Sequence, residues 1–410
     1  MMSLEMRFVP VLAVVVLIVL YALLRPGVWQ WLLLIALIVA GLWFAYRNAP
    51  KIRVKRELES TRTFQGSSVK VKLMLEVYAP FPVLMTVSEV VPRTLIPDQP
   101  AAITGLFWGH SSHELTYGIT PNARGGFVWN ALEQNWSDPL GLFIKDSRIP
   151  NLETEFELLV YPGSHALELP DLARPLLSDG PPSRTWGLED ESTFAGVREY
   201  APGDPQRRVH WKQTAKHGMT DGRFNQLVVR ELERVAATGV HIHLDLDATG
   251  RNGAMFLESA TRLASSILRE AFDAGLRVSV SSLSGRTEAG ASFAALERAL
   301  AYLALVQLEP DGSQVVSEPS PGANLVVITM NAPTTLIEGA IRARARAARV
   351  LVLALSEGYY LEPGESPRPL FYSMPDALKD LEARAGVLEA AGVKVFILRG
   401  DESVLKLALR

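Results

Sequence analysis

The apolar residues divide the chain into an apolar beginning, a strand-rich middle and a region of alternating strands and helices. Two runs at the start contain no charged residue: Phe8 to Leu24, with 17 residues, and Val28 to Tyr46, with 19. As helices they would be about 25 and 28 Å long, close to the ~30 Å of a hydrocarbon core. The Arg25-Pro26-Gly27 turn between them predicts a two-helix transmembrane hairpin in residues 1–50.

Basic residues around these runs predict an orientation in the membrane. Five Lys or Arg residues follow the second run within ten positions, whereas Arg7 and Arg25 are isolated. Positive charge favours the cytoplasmic side. The pattern therefore predicts a multi-pass protein of the inner (cytoplasmic) membrane, with the lipid bilayer as a partner and residues 47–410 in the cytoplasm. A cleaved signal peptide fits less well, because no small-residue cleavage site follows the first run.

Residues 51–165 show the pattern of β-strands. Val69 to Val77 alternates nearly strictly between apolar and polar positions, as a half-buried strand does. Prolines punctuate the next stretch and disfavour long helices there. Short strands separated by turns predict an all-β, sandwich-like domain. An acidic stretch then leads into residues 166–235, which we interpret as an acidic connector followed by a signature motif.

Residues 236–410 change to alternating apolar strands and amphipathic helices. Five compact apolar runs are separated by four helical stretches. This alternation predicts a largely parallel, doubly wound α/β domain with right-handed crossovers. The predicted strands are Val240 to Leu246, Leu276 to Ser282, Asn324 to Met330, Arg349 to Leu355 and Val393 to Leu398.

Composition and charge narrow the chemistry. The chain has no cysteine, which excludes disulfides, thiolate metal sites and cysteine nucleophiles. Its formal net charge of −3 gives no overall reason to bind nucleic acid, and we expect no such partner. The sequence has no Walker loop, dinucleotide fingerprint or nucleophile motif. We therefore expect a protein that is not an enzyme.

The densest motif spans residues 194–215 and combines a Pro-Gly-Asp turn with a following His-Trp-Lys string. It resembles the signature of the bacterial family called "domain of unknown function 58". Similar strings at Asp138 to Phe143 and Leu227 to Glu231 extend the resemblance over nearly the whole chain. One difference is Lys216, where relatives usually carry arginine. The candidate protein-binding or structural residues of the motif are Arg198, Glu199, Tyr200, Gly203, Asp204, Arg208, His210, Trp211 and Lys212.

The resemblance implies a von Willebrand factor A-like fold for the α/β domain and partnership with MoxR-type AAA+ ATPases. We therefore expect a membrane-anchored, non-enzymatic adaptor that binds protein partners in protein assembly or envelope maintenance. The sequence does not indicate the oligomeric state. The alternative is an envelope-associated hydrolase or other enzyme with a site around His210 and Asp204.

Three interpretations of the charged motif residues stay open. In the first, Arg198, Asp204 and Arg208 form buried, hydrogen-bonded pairs and Trp211 lies in the core. In the second, the cationic patch docks an acidic partner, such as the acidic connector of the chain itself. In the third, the motif binds phosphate or nucleic acid, which the modest excess of eight bases over five acids in residues 195–235 favours least.

The resemblance also implies a metal-ion-dependent adhesion site, whose Asp-x-Ser-x-Ser pattern follows the first strand of the domain. Asp245 and Thr249 fit the outer positions, while Asp247 replaces the first serine. Oxygen ligands of this kind suit a hard divalent cation, Mg²⁺ or Ca²⁺. An aspartate expected after a later strand is replaced by Met330 and Asn331. The competing interpretation is that the acids cap the following helix.

Overall fold

The computed structural model divides the chain into two units, Met1–Tyr161 and Pro162–Arg410. The first unit combines two helices with two mostly antiparallel sheets, and the second contains a mostly parallel sheet with helices. The residues that the structure describes are 13–21, 29–149, 156–167, 188–200, 209–216, 219–220, 223–224, 227–235, 238–248, 250–310, 315–366 and 376–404.

The N-terminal unit begins with helix α1 (13–21) and helix α2 (Trp29–Ala45). Helix α2 has 17 residues and is therefore about 25 Å long. Among the described residues, no helix has both the length and the apolar character that crossing a membrane requires. The predicted transmembrane hairpin is therefore wrong, and so is the predicted multi-pass localisation in the inner membrane. The described chain is instead mostly β, with several sheets and seven helices.

The C-terminal end of α2 packs against the β-sheet of its own unit. Tyr46, the residue after α2, is buried, and its hydroxyl donates a hydrogen bond to the Pro82 carbonyl oxygen at 2.9 Å. The Tyr46 ring also lies 6.1 Å from the Phe81 ring, centroid to centroid. Leu42 and Ala45 pack on the same core. The end of this apolar helix is therefore held by protein contacts, which hydropathy alone does not reveal.

Two sheets form the rest of the N-terminal unit. The larger has strand order β4-β5-β3-β7-β8, with β1 paired to the first half of β3. The smaller has the order β2-β9-β6. The strands are β1 (Lys51–Leu58), β2 (Arg62–Phe64), β3 (Val69–Glu89), β4 (Leu95–Pro97), β5 (Ala102–Pro121), β6 (Gly125–Trp129), β7 (Leu132–Ser137), β8 (Ile144–Ile149) and β9 (Phe156–Tyr161).

Strict alternation along β3 builds the core of this unit. From Val69 to Ala79, every second residue of β3 is buried. Val69 and Val71 pack with Leu158 and Val160 of β9, so the two sheets share one core. The opposite residues of β3 face outward, as period-two alternation requires.

The C-terminal unit contains the signature motif and two small antiparallel pairs. Strand β10 (Leu188–Glu199) pairs with β13 (Val228–Val235), and β11 (Met219–Thr220) pairs with β12 (Arg223–Phe224). The short helix α3 (Trp211–Lys216) lies between β10 and β11 in sequence.

The large sheet of this unit has the strand order β16-β15-β14-β17-β18-β19. All pairs are parallel except the short edge pair of β15 and β16. The five apolar runs of the sequence form the five parallel strands. The strands are β14 (Gly239–Leu244), β15 (Arg277–Ser282), β16 (Gly285–Arg286), β17 (Asn324–Thr329), β18 (Arg349–Leu355) and β19 (Val393–Leu398).

Four helices accompany this sheet. Helix α4 packs on β14 and β15, while α6 and α7 pack on β18 and β19. Strands β14 and β17 are buried along their whole length, so both faces of the sheet are covered. The helices are α4 (Gly250–Asp273), α5 (Phe293–Leu305), α6 (Thr334–Ala343) and α7 (Asp376–Ala390).

Candidate functional site

The carboxyl edge of the parallel sheet carries Asp245, the first residue after β14. This residue is buried, and its backbone N–H donates to the Ile328 carbonyl oxygen at 2.9 Å. One carboxylate oxygen accepts a 2.7 Å hydrogen bond from the Thr329 hydroxyl, and the other lies 3.4 Å from the Asp247 backbone nitrogen. Asp245 therefore lies at the sheet edge where open α/β sheets bind ligands.

The turn after the neighbouring strand β17 holds the Asp245 carboxylate in place by hydrogen bonds. The Thr329 hydroxyl accepts a hydrogen bond from the Ala332 backbone N–H at 2.9 Å while donating to Asp245. Ala332 has φ of +44°, which is unusual for a residue with a side chain. The Asn331 side-chain amide donates to the Asp247 carbonyl oxygen at 3.1 Å. The two loops are therefore locked together by side-chain hydrogen bonds.

A second carboxylate, that of Glu309, binds the loop that follows β15 by hydrogen bonds. It accepts hydrogen bonds from the Ser282 hydroxyl at 2.7 Å and from the backbone N–H groups of Leu283 and Ser284 at 3.0 and 2.7 Å. The Glu309 backbone N–H donates to the Leu246 carbonyl oxygen at 3.0 Å. Glu309 lies about sixty residues from Asp245 in sequence, and no motif indicated that it would join this edge.

The structure describes two of the three predicted metal ligands. Asp245 and Asp247 lie next to each other, whereas Thr249 falls outside the described residues. Among the described residues, no group of three or more His, Asp or Glu side chains has the geometry of a metal site. The Asp245 oxygens already accept hydrogen bonds from Thr329 and Asp247. Binding of Mg²⁺ or Ca²⁺ at this edge remains a prediction.

The electrostatic environment of Asp245 makes its charged form unfavourable. Burial raises the pKa of Asp245, and the hydrogen bonds from Thr329 and the Asp247 backbone lower it in part. The nearby charges of Asp247 and Glu309 raise it further. The folded protein therefore binds this proton more tightly than the unfolded chain, whose Asp pKa is about 3.9. Ionisation of Asp245 costs stability as the pH rises above that value.

Asp245→Asn is therefore expected to stabilise the C-terminal unit at pH 7. Asparagine keeps an oxygen that accepts from the Thr329 hydroxyl but carries no charge. We expect the melting temperature to rise by roughly 2–4 °C, for a gain of about 1 kcal/mol. Scanning calorimetry of the full chain measures this, with the exposed Asp401→Asn as the control. A lower melting temperature for Asp245→Asn would show that the charge stabilises the fold.

A chain of hydrogen bonds lies inside the sheet, next to the Asp245 edge. His241 contacts the Ser279 hydroxyl through Nδ1 at 2.8 Å and the Ser281 hydroxyl through Nε2 at 3.0 Å. His243 contacts the same Ser281 hydroxyl through Nδ1 at 3.1 Å. All four side chains are buried. The parallel register sets His241 opposite Ser279 and His243 opposite Ser281, which only the structure reveals.

The signature motif is anchored on β13. The His210 backbone N–H donates to the Val228 carbonyl oxygen at 2.7 Å, and Val209 bridges to Val229. The buried Thr214 hydroxyl accepts from the Val228 backbone N–H at 3.1 Å. These contacts fix α3 against the strand pair of β10 and β13. Of the remaining candidates, Gly203, Asp204 and Arg208 lie outside the described residues, so the pairing of His210 with Asp204 stays a prediction.

The aromatic residue of the motif lies on the surface. Trp211 is 60% exposed, which disagrees with the first of the three interpretations, in which this residue lies in the core. Lys212 and Lys216 of the same helix are also exposed. The Thr214 hydroxyl holds the helix to the strand. Because α3 has only six residues, its sequence has too few turns to show which face is buried.

The remaining described motif residues lie at the end of β10. The Arg198 guanidinium donates from Nη1 to the Glu199 carbonyl oxygen at 3.0 Å. The Tyr200 backbone N–H donates to the Leu227 carbonyl oxygen at 2.8 Å. Arg198 pairs with Val229 in the strand register. These residues and α3 are therefore attached to the same strand, β13.

Comparisons with known proteins do not identify a family for this chain. No protein-family model matches the chain. The uncharacterized protein YeaD of Bacillus subtilis (strain 168) is 25% identical over 234 residues, which cover 55% of this chain and 56% of YeaD. The chain thus matches only about half the length of this curated relative.

Two solved β-domains show weak structural likeness. The CARDB domain of the PF1109 protein from Pyrococcus furiosus has 11% identity and a TM-score of 0.18, covering 27% of this chain and 93% of that domain. A PapD-like domain of human CEP192 has 16% identity and a TM-score of 0.16, covering 26% and 83%. Scores this low carry no argument about function. None of these comparisons supports the expected von Willebrand factor A-like assignment.

Proposed function

We propose that this protein is a non-enzymatic adaptor that binds a protein partner through α3. The observation that carries the proposal is the 60% exposure of Trp211 on a helix that is fixed to the fold. Burying a large aromatic side chain against a partner contributes a large favourable free energy of binding. Tryptophan is also enriched among the interface residues whose replacement weakens binding most.

The charge around Trp211 favours an acidic partner surface. Lys212 and Lys216 are exposed on the same helix. Basic side chains at the rim of an interface attract a complementary acidic surface and speed association. This arrangement supports the docking interpretation of the motif over the interpretation in which the aromatic residue is core.

The attachment of α3 supports a preformed docking element. The His210 backbone, Val209 and the Thr214 hydroxyl all contact residues of β13. A helix that is already ordered before binding loses less conformational entropy when the partner arrives. The resemblance to the domain of unknown function 58 family suggests that this partner is a MoxR-type AAA+ ATPase.

The surroundings of three histidines support a binding role over catalysis. His210 Nδ1 accepts a 3.1 Å hydrogen bond from the Gln213 backbone N–H, so this nitrogen is engaged within the motif. His241 and His243 are buried and bonded to serines inside the sheet. In these positions the rings have structural partners, and two of them have no access to a substrate in solvent.

Trp211→Ala is expected to weaken binding of the ATPase. The full chain would be immobilised and titrated with the purified MoxR-type ATPase from the same genome, held in its ATP state by a slowly hydrolysed analogue. Loss of a central tryptophan costs about 2 kcal/mol or more, so we expect Kd to rise about 30-fold. The melting temperature should stay unchanged, because Trp211 is exposed.

Trp108→Ala is the matched control, because Trp108 is 71% exposed on β5 and lies outside the motif. It should leave both Kd and melting temperature unchanged. Equal affinities for the wild-type protein and Trp211→Ala would contradict docking through α3. If the wild-type chain does not bind the ATPase, the proposed partner is wrong.

A further inference from the structure

Two grooves of different character meet on the N-terminal unit. The apolar groove has a volume of about 660 Å³ and lies between the second half of α2 and residues 78–81 of β3. The basic groove has a volume of about 520 Å³ and lies across β1, β3 and β5. Both are lined by Lys51 and Tyr78, so they adjoin at these two residues. Each has the size of a small-molecule site.

The apolar groove has hydrophobic walls on both sides. Ile38 and Phe44 of α2 are 52% and 71% exposed, and Phe81 across the groove is 45% exposed. Gly41 also lines the groove, and a Cβ atom at this position would meet no atom within 4 Å. The missing side chain therefore leaves space between the helix and the sheet. Covering these surfaces with an alkyl chain would be favourable in proportion to the apolar area buried.

The basic groove supplies positive charge at one end of this apolar surface. Lys51 and Arg53 are exposed on β1, and neither makes an ion pair with another residue of the described chain. Glu76 is the acidic residue of the lining. The His110 ring contacts the Tyr78 ring in a tilted arrangement, with ring centroids 4.4 Å apart, so two aromatic rings lie at the junction. Glu76 lies opposite Arg53 in the register of β1 and β3, so the lining keeps a net charge of +1, which favours an anionic group.

We propose that the joined grooves bind a single-chain amphiphile with an anionic head group. The alkyl chain would lie between α2 and Phe81, and the head group would contact Lys51 and Arg53. Charge complementarity argues for an anionic head, and the continuity of the two grooves at Lys51 and Tyr78 argues for one ligand that occupies both. This site lies in the N-terminal unit and is independent of docking through α3.

Dodecyl phosphate, kept below its micellar concentration, is the probe for the full chain in isothermal titration calorimetry. We expect saturable one-to-one binding that weakens about 3- to 4-fold for each CH₂ group removed from the chain. Inorganic phosphate and the neutral dodecyl maltoside should each bind at least tenfold more weakly. Tight binding of phosphate alone, or equal binding of the two dodecyl compounds, would overturn the proposal.

Two variants test the two ends of the site. Gly41→Leu places a side chain in the apolar groove and should weaken dodecyl phosphate binding at least tenfold without lowering the melting temperature, because leucine favours a helix over glycine. Gly386→Leu is its control, since Gly386 lies in helix α7 with equally open space. An unchanged affinity in Gly41→Leu would overturn the proposed position of the chain.

The head-group end is tested by the double variant Lys51→Gln/Arg53→Gln. We expect its affinity for dodecyl phosphate to fall about tenfold, whereas its affinity for dodecyl maltoside stays the same. Lys70→Gln is the control, because Lys70 is an exposed lysine of β3 outside both grooves. Equal losses in the double variant and in Lys70→Gln would show only a general charge effect and would overturn the head-group contact.

Discussion

Lowering the pH from 7 to 5 is expected to destabilise the C-terminal unit by about 3–4 kcal/mol through two buried histidines. Burial, together with the nearby charges of Arg286 and His243, lowers the pKa of His241 to about 3. Burial also lowers the pKa of His243 to about 4, which Glu309 partly opposes. Both rings are therefore neutral in the folded protein over most of this range.

The sign of the effect follows from the unfolded chain, in which histidine has a pKa of about 6.5. Below this value the unfolded chain binds two protons that the folded protein excludes, so each proton weakens stability by about 1.4 kcal/mol per pH unit. Stability is highest above pH 6.5, and the loss continues until each ring binds its proton in the folded protein, near pH 4 for His243 and near pH 3 for His241.

Hydrogen exchange of the β14 and β17 amides, corrected for the intrinsic rate, measures the free energy of unfolding of this unit between pH 5 and 7. His243→Asn keeps a polar group near Ser281 and should remove about half of the pH dependence. His110→Asn in the N-terminal unit is the control and should leave the dependence intact. An unchanged pH dependence in His243→Asn would contradict the role of this ring.

Breaking the buried ion pair of the N-terminal unit is expected to cost about 3–5 kcal/mol. Arg56 Nη2 lies 2.6 Å from Glu89 Oε1, and both side chains are fully buried. The Tyr117 hydroxyl donates to the other Glu89 oxygen, and Arg56 Nη1 donates to the Trp129 carbonyl oxygen at 3.5 Å. The pair thus connects β1, β3, β5 and β6.

Desolvation dominates the energetics of this pair. Burial lowers the pKa of Arg56, against the opposing effect of Glu89, and burial raises the pKa of Glu89, against the opposing effect of Arg56. Each charged group therefore needs its oppositely charged partner to offset the free-energy cost of being buried. Arg56→Met leaves the Glu89 carboxylate without its cation, which is why the expected loss is large.

A double-mutant cycle separates the pair from its surroundings. Arg56→Met alone should lower the free energy of urea unfolding by about 3–5 kcal/mol, and Arg56→Met/Glu89→Leu should recover much of this loss. Lys72→Met is the matched control, because the Lys72–Glu114 pair is exposed to solvent and should contribute little to stability. A double variant no more stable than Arg56→Met would contradict the argument that desolvation dominates.

The strands of the parallel sheet could be predicted because each one is a compact apolar run buried on both faces. The residues that meet at the carboxyl edge of this sheet could be predicted only in part. Asp245 follows the first strand directly, but Thr329 and Glu309 reach the same edge from distant parts of the sequence. The same limit applies to Arg56, Glu89 and Tyr117, which the pairing of β1 and β5 with β3 brings together.

The wrong prediction of the hairpin and the undecided position of Trp211 have physical causes. A charge-free run has the same hydropathy whether its helix crosses a lipid layer or ends against protein, and the contacts of Tyr46 with Phe81 and Pro82 appear only in the structure. Tryptophan is apolar enough for a core and common in interfaces. The sequence around Trp211 therefore did not decide between these positions, whereas the buried Thr214 does.

Site-specific photocrosslinking tests the central claim, docking through α3, most directly. A photoreactive phenylalanine analogue would replace Trp211 in one sample and Trp108 in another, each mixed with the purified MoxR-type ATPase in its ATP state. We expect a covalent adduct from position 211 and none from position 108. Adducts of equal yield from both positions, or an adduct from position 108 alone, would contradict the claim.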